Sequence, residues 1–373
     1  MPGTFVKINP ATDTITDTAK VTTGYFSNGS GKLLGSSIYT SSLNDTNEGY
    51  YFGITNSEDA DHVTQFTVAY GHYAGSGSNT DANDIKGATQ AIYNQWATTL
   101  LGENEVTGGF VMSSPSSDNA TATTTTVKDE AVYVVVGKRS LFKERLNKGN
   151  WTIALSGSNT AGDAGTSLVL TDDSKTVTAV STVAGPRHNI VTGSDGTVHS
   201  ASAERCFGWF YPDAGVLVFS AAELSRSIQG KTAGIAAAAT ENLGADGNFN
   251  GFGFNTAATS DKNYNNGLRF INCLKSGDSS ATYIQARSEE DQTSVSYFCR
   301  ATAGQFNFTN NPTFVSGSSN SLRHTDMYGN PVTYITGVGL YNTSGQLVAI
   351  AKLSTPLKKN FSSEATIKVK LTY

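Results

Sequence analysis

Three oxygen-bearing side chains, Asp246, Asn248 and Asn250, stand at alternate positions before Gly251. This spacing is typical of the first half of a calcium-binding loop, in which carboxylate and amide oxygens ligate the cation. Ala257 stands where such a loop needs its bidentate glutamate. The pattern therefore favours a tight turn, with calcium binding at the three residues as the weaker alternative.

Two acidic clusters, at residues 58–61 and 289–291, contain carboxylates of the kind that glycosidases use in pairs. That chemistry needs two carboxyl groups facing each other across a sugar, and position along the chain does not establish such a pair. Both clusters lie in polar segments beside predicted strands. We interpret them as solvated loop ends, which leaves a polysaccharide-degrading enzyme as the third choice of function.

The commonest catalytic motifs are absent from the sequence. The chain has no phosphate-binding P-loop, no Gly-x-Ser-x-Gly elbow and no His-Glu-x-x-His helix. Its five histidines are scattered, and Cys206, Cys273 and Cys299 are too widely spaced for a disulfide framework or a paired zinc site. The sequence predicts a protein that is not an enzyme and that uses no cofactor or resident metal.

Composition favours strands and turns over helices. Only 15% of the 373 residues are charged and 38 are glycine, while Thr, Ser and Asn fill the difference. Branched Thr suits a pleated sheet, and Gly and Asn tolerate tight turns. Because the net charge is −5, we expect no nucleic-acid partner. The apolar runs are shorter than the roughly 20 residues of a membrane helix, so we also expect no membrane partner.

One amphipathic helix is expected at residues 82–101, where Ile85, Ile92, Trp96 and Leu100 share one face. Short apolar runs separated by turns account for the rest of the chain and indicate strands. We predict a mainly β protein with antiparallel sandwich-like or barrel-like domains. The C-terminal part is expected to form a three-strand meander from 332–341, 346–353 and 365–373, and 268–273 is expected to be a further strand.

A low-complexity segment rich in Thr and Ser divides the chain in this interpretation. The predicted domains are an N-terminal β-rich domain with one helix at 1–112, a loop or linker at 113–127, a middle β domain at 128–244 and a C-terminal β domain at 245–373.

The C-terminal sequence carries a resemblance to a known family. Residues 330–342 (NPVTYITGVGLYN), 347–359 (LVAIAKLSTPLKK) and 367–371 (IKVKL) resemble the ending of virion structural proteins from T4-like myophages of marine cyanobacteria. Weaker similarities follow the same order along the chain, at 90–95, 150–152, 189–193, 208–216 and 311–317.

This resemblance implies a structural subunit of a tailed-phage virion, in the tail or baseplate, and provides no catalytic residues. The implied partners are other copies of the chain and other virion structural proteins, with assembly in the host cytoplasm, since the N-terminus lacks the features of a secretion signal. Two alternatives stay open. One is a peripheral receptor- or carbohydrate-binding module that contacts a host surface glycan, and the other is a head or neck decoration protein.

Aromatic residues are the predicted contacts of such an assembly, because aromatic side chains are enriched at protein interfaces. The candidates are Trp209, Phe210, Tyr211, Phe306, Phe308 and Tyr334.

Overall fold

The computed structural model describes residues 5–41, 51–56, 61, 63–75, 87–112, 128–157, 166–199, 205–228, 263–275, 282–317 and 321–373. The chain is mainly β with antiparallel sheets and few helices, which confirms the predicted fold class. The calcium candidates Asp246, Asn248 and Asn250 lie outside the described residues, as does the Thr-rich segment 113–127.

The helices are α1 Pro10–Asp13, α2 Gly87–Leu100, α3 Glu103–Val106, α4 Ala221–Ser227 and α5 Asn263–Lys275. The first ten strands are β1 Thr14–Gly24, β2 Lys32–Leu34, β3 Ile38–Ser41, β4 Tyr51–Asn56, β5 Thr64–His72, β6 Ala131–Gly137, β7 Arg145–Leu146, β8 Thr152–Gly157, β9 Thr166–Asp172 and β10 Val180–Thr182. The others are β11 Gly185–Ser194, β12 Thr197–Val198, β13 Gly208–Tyr211, β14 Val216–Ser220, β15 Tyr283–Gln285, β16 Arg287–Ala301, β17 Val315–Ser316, β18 Ser321–Leu322, β19 Thr333–Tyr341, β20 Leu347–Lys359 and β21 Ala365–Thr372.

The chain forms two compact units. Unit 1 combines the two ends of the chain, Met1–Lys20 and Asp291–Tyr373, and unit 2 is Val21–Glu290. These bounds differ from the predicted domains at 1–112, 128–244 and 245–373. The first two predicted domains share one sheet, because β6 pairs with β5 along the whole length of β6. Long-range pairing of this kind leaves no signal in local composition.

The main sheet of unit 2 has the strand order β2-β15-β8-β9-β11-β13-β14-β6-β5-β4-β3, and β10 and β12 pair with β11 outside this path. Strands β2 and β3 occupy the two ends of this order, yet only the 3-10 turn Gly35–Ser37 separates them in the chain. Such a short connection cannot span a wide gap, so the two edges lie close together. The sheet is therefore nearly closed and barrel-like.

Strands β6, β13 and β14 bury side chains on both faces of this sheet. Tyr133 and Phe219 belong to a large inner cluster, to which most strands of the sheet contribute. Their neighbours Val134 and Val218 point the other way and join a smaller outer cluster. The alternation follows from the period of two along a strand, and burial on both faces explains why these segments are continuous apolar runs.

Helix α2 covers the outer cluster and confirms the predicted helix over residues 87–100, while 82–86 lie outside the described residues. Tyr93, Ala97 and Leu100 are its buried side chains in this cluster. A Cβ atom at Gly71 of β5 would lie 2.9 Å from the backbone nitrogen of Tyr93. Glycine at this position therefore allows the helix to approach the sheet closely.

Helix α5 contributes to the inner cluster, and Phe270 packs against Tyr133 and Phe219 with ring centroids 5.8 and 5.4 Å apart. The prediction of a strand at 268–273 is wrong, because the helix spans the whole segment. A short apolar run does not distinguish a buried strand from a buried helix. The described side chains at 269–274 are all buried, as they would be in a strand enclosed on both faces.

In unit 1, the part of β16 after residue 290 pairs with β21, in register from Ser294 opposite Thr372 to Ala301 opposite Ala365. The three predicted C-terminal strands are present, but only β19 and β20 pair with each other, and β21 belongs to another sheet. The expected meander is therefore corrected to a hairpin followed by a strand of a different sheet. Pairing with β16 places Ala301 and Ala365 together in a small buried layer.

Candidate functional site

The β19–β20 hairpin, residues 333–359, is a long two-stranded part of unit 1, and we call it the ribbon. Its strands pair from Thr333 opposite Lys359 to Tyr341 opposite Leu347, and within the described residues they form a sheet of two strands only. Both outer edges of the ribbon therefore lack a further strand partner there. A two-stranded hairpin in water is marginally stable on its own.

The sequence of the ribbon specifies its turn and its register. Asn342 starts the connection, and its side-chain oxygen accepts hydrogen bonds from the backbone nitrogens of Ser344 and Gln346. Gly345 adopts a positive φ of 76°, which an L side chain rarely tolerates. Near the base, a register shift leaves Pro356 within an irregular part of β20, where its missing N–H removes no ladder hydrogen bond.

The ribbon exposes large apolar side chains near its tip. Ile350 is 69% exposed, Val348 64%, Leu347 51% and Tyr341 48%. The opposite face is better covered, since Leu340 is buried. Contiguous apolar side chains on a surface mark a site of protein interaction, whereas single scattered ones need no explanation. The tip of the ribbon is therefore a candidate contact surface.

The base of the ribbon is held by a buried lysine. The Nζ of Lys359 donates hydrogen bonds to the backbone oxygen of Ala303 at 3.0 Å, to Oδ1 of Asn307 at 2.9 Å and to the backbone oxygen of Asn360 at 2.9 Å. Three donors thus meet three oxygens, which satisfies the hydrogen-bonding capacity of an ammonium group. This arrangement attaches the exposed strands to the preceding loop of the same unit.

Three of the predicted interface residues lie on the surface of unit 1. Phe306 and Phe308 are each 45% exposed and Tyr334 is 61% exposed. Phe306 adopts a positive φ of 58°, and its backbone oxygen accepts a hydrogen bond from Oγ1 of Thr333 at 2.7 Å. These residues are available to a partner, and their role in contacts stays a prediction.

The other three predicted contacts, Trp209, Phe210 and Tyr211, are buried in unit 2 and are therefore corrected to core residues. Phe210 faces the inner cluster beside Trp151, while Trp209 and Tyr211 join the outer cluster. Consecutive aromatic residues with both faces apolar are typical of a strand buried on both sides. That signal was present in the sequence and indicated core instead of surface.

The tip residues Leu347, Val348 and Ile350 were not among the predicted contacts. Residues 347–351 are all apolar, so the segment lacks the alternation of a strand with one solvated face. A strand of this type needs cover on both faces. Within a two-stranded ribbon, that cover is incomplete.

The acidic cluster at 289–291 does not form a facing pair of free carboxylates. Glu289 is buried and bonded to Nε of Arg145 at 2.8 Å, and Glu290 lies 2.6 Å from Nζ of Lys143. Both carboxylates are thus engaged by cations from the segment around β7. In the other cluster, Asp61 is exposed, and residues 58–60 lie outside the described part of the chain.

The most chemically distinctive buried group is His188 of β11. Its Nδ1 lies 3.8 Å from Oδ1 of Asp173, and neither ring nitrogen has a hydrogen-bond partner among the described residues. Burial lowers the pKa of His188 and raises the pKa of Asp173, because desolvation disfavours each charged form. Asp173 accepts hydrogen bonds from both nitrogens of Asn189. Across the described ranges, His, Cys, Asp and Glu form no group of three placed to hold a metal ion.

No protein-family model, no curated protein and no solved structure matches the chain. The helices in the described part of the chain include none with the length and apolar character needed to cross a lipid bilayer.

Proposed function

We propose that this chain is a structural subunit of a tailed-phage virion, in the tail or baseplate, and that it acts through subunit–subunit assembly. The observation that carries the proposal is the apolar tip of the ribbon, where Tyr341, Leu347, Val348 and Ile350 face solvent in a single copy. Assembly would remove this area from water, at roughly 25 cal/mol for each Å² of apolar surface.

Two further features support the proposal. Within the described residues, neither outer edge of the ribbon pairs with a further strand, and native proteins normally protect such edges by pairing, by covering or by charge. The ribbon also lies within the residues that resemble the ending of cyanophage virion proteins, at 330–342 and 347–359. Residues expected from that resemblance to belong to a particle component therefore coincide with the surface that lacks cover.

The direct test is to locate the chain in purified particles of the virus that encodes it. We expect peptides of the chain in density-gradient-purified particles at a constant ratio to other tail proteins, measured by quantitative mass spectrometry. Absence from intact particles would contradict the proposal. Saturable binding on a glycan array would instead favour the peripheral carbohydrate-binding alternative, with Phe306, Phe308 and Tyr334 as the exposed aromatic residues.

A variant links the ribbon to this role. Val348→Thr together with Ile350→Thr keeps the branched side chains that suit a strand but replaces apolar surface by hydroxyl groups. We expect reduced incorporation into particles and an unchanged melting temperature. Leu34→Thr, at an exposed apolar position of β2 in unit 2, is the matched control and should be incorporated normally.

A further inference from the structure

The two units carry opposite charge. Unit 1 contains nine Lys and Arg residues and five Asp and Glu residues, which gives a formal charge of +4, and the total of −5 then leaves −9 for unit 2. Both figures cover every residue of the chain. Opposite net charges favour contact between unit 1 of one copy and unit 2 of another, and they oppose contact between like units.

The ribbon is the basic, apolar part of unit 1. No Asp or Glu occurs between Asp326 and Glu364, while Lys352 of β20 is exposed beside the apolar tip and Lys358 is exposed near the base. Two ribbons packed against each other would bring four such lysines together without a carboxylate from either ribbon. The charge of the ribbon therefore favours an occupant with apolar and acidic side chains.

Unit 2 presents a surface of that chemistry. At 81%, Val183 is the most exposed large hydrophobic side chain in the described part of the chain, and Val180 is 48% exposed. Three exposed carboxylates belong to segments beside them, and we call the set the valine–carboxylate patch. Its members are Val180, Val183, Glu103, Glu105 and Asp213.

Distances from two glycines place Val183, Glu105 and Asp213 beside the turn between β10 and β11. A Cβ atom at Gly102, directly before α3, would lie 3.9 Å from Cγ2 of Val183 and 3.8 Å from Oε2 of Glu105. A Cβ atom at Gly185, at the other end of the β10–β11 turn, would lie 3.2 Å from Oδ2 of Asp213. The turn between β10 and β11, which contains Val183, is therefore flanked by carboxylates on two sides.

We propose that the ribbon of one copy docks on the valine–carboxylate patch of a second copy of this chain, an inference that rests on the proposed assembly role. Apolar burial of Val348 and Ile350 against Val180 and Val183 supplies the attraction, and the lysines opposite the carboxylates orient the contact. Because the two surfaces differ, the contact is head-to-tail and generates a ring or an open filament.

The experiment is sedimentation of the full chain over a range of concentrations and salt. We expect concentration-dependent self-association that weakens as salt rises, since exposed charges are screened. Lys352→Glu with Lys358→Glu should weaken association roughly tenfold or more, because like charges then face each other. Glu103→Lys with Asp213→Lys should have a similar effect, and the four changes combined in one chain should restore association.

Lys368→Glu with Lys370→Glu is the matched control, since these exposed lysines of β21 have the same charge and belong to the same unit. It should leave association within about twofold of wild type. A monomer at every concentration, an equal loss in the control, or no restoration in the four-fold variant would each overturn the docking proposal.

The outcomes also separate this inference from the proposed function. If the chain is present in particles but the ribbon and patch variants self-associate as strongly as wild type, the docking contact is wrong and the virion role stands. If the chain self-associates as described but is absent from particles, the docking contact stands and the virion role is wrong.

Discussion

Unit 1 and unit 2 use their apolar residues in opposite ways. Within the described ranges, only seven of 55 buried hydrophobic residues belong to unit 1, whereas 14 of the 19 exposed large hydrophobic side chains do. Both hydrophobic clusters consist of unit 2 residues. Unit 2 thus completes its own core, with α2 on one face of its sheet and α5 on the other.

Strands of similar apolar sequence are therefore buried in unit 2 and exposed in unit 1, depending on which elements cover them. The run at 131–136 in β6 and the run at 347–351 in β20 are both nearly continuous in apolar residues. The first is enclosed between the inner and outer clusters, and the second stands in a two-stranded ribbon. Composition alone does not separate them, because the number of neighbouring strands decides burial.

Two aromatic truncations should give the largest difference in stability between the units. Phe210→Ala removes a fully buried ring from the inner cluster and should destabilise unit 2 by about 3–5 kcal/mol. Tyr334→Ala removes a ring that is mostly in solvent and should change the stability of a monomeric sample by less than about 0.5 kcal/mol. Denaturant unfolding followed by tryptophan fluorescence measures the first change and by hydrogen exchange the second. Equal costs would remove the distinction between the units.

The next test concerns the buried lysine of unit 1. Lys359→Met keeps the length of the side chain but leaves the oxygens of Ala303, Asn307 and Asn360 without their donor. We expect a loss of about 1–3 kcal/mol, seen as faster hydrogen exchange in β19 and β20. The neighbouring exposed Lys358→Met serves as control and should change exchange little. If the two variants behave alike, Lys359 does not hold the ribbon.

The pH dependence of stability should arise mainly from buried titratable groups of unit 2. Burial lowers the pKa of His188 below its unfolded value near 6.5, so the unfolded chain takes up a proton first as pH falls. Stability should therefore be lost below about pH 6.5, by at most about 1.4 kcal/mol per pH unit for this group. Asp172, Asp173 and Lys148 are the charged groups that act on it. Asp173, whose pKa is raised, opposes this trend only from its folded pKa down towards its unfolded value near 3.8.

Melting temperatures at several pH values measure this effect. His188→Gln should flatten the acid limb of the profile, whereas the exposed His324→Gln should leave it unchanged. A profile that keeps its slope in His188→Gln would assign the acid sensitivity to other groups, such as His72, whose pKa burial also lowers.

The smallest expected effect is on thiol reactivity, with no change in stability. Burial raises the pKa of Cys206 and of Cys273 in unit 2 to about 12, so very little thiolate forms at neutral pH. Burial also raises the pKa of Cys299 of unit 1, but this thiol is less buried and should react first with iodoacetamide at about pH 8. Peptide mapping after brief labelling checks the order. Fast labelling of Cys273 in the native state would indicate that the inner cluster opens readily.

The sequence indicated most helices and strands correctly, but it did not indicate which strands pair with each other. Helix α2 was identified because its apolar residues share one face, and α5 was missed because a short apolar run such as 268–273 is equally typical of a buried strand. Strands at 332–341, 346–353 and 365–373 were expected from their composition and turns, and the structure has them at 333–341, 347–359 and 365–372. Their pairing was not, because the choice of β16 as the partner of β21 depends on residues far away in the chain.

The candidate site was predicted in part. Tyr334, Phe306 and Phe308 were chosen as aromatic residues and lie on the surface, but Trp209, Phe210 and Tyr211 were chosen on the same ground and lie in the core. Aromatic character alone does not separate the two roles. The continuous apolar character of both segments calls for cover on both faces, and only the fold shows where that cover is missing.

The near-closure of the barrel also has a consequence for how the protein is made. Leu33 of β2 pairs opposite Ile284 of β15, so the edge strand leaves the ribosome roughly 250 residues before its partner. At about 5–20 residues per second, the nascent chain holds this open edge for roughly 10–50 s. During that interval the unpaired edge can pair with other chains, so slower translation should increase aggregation of the nascent protein.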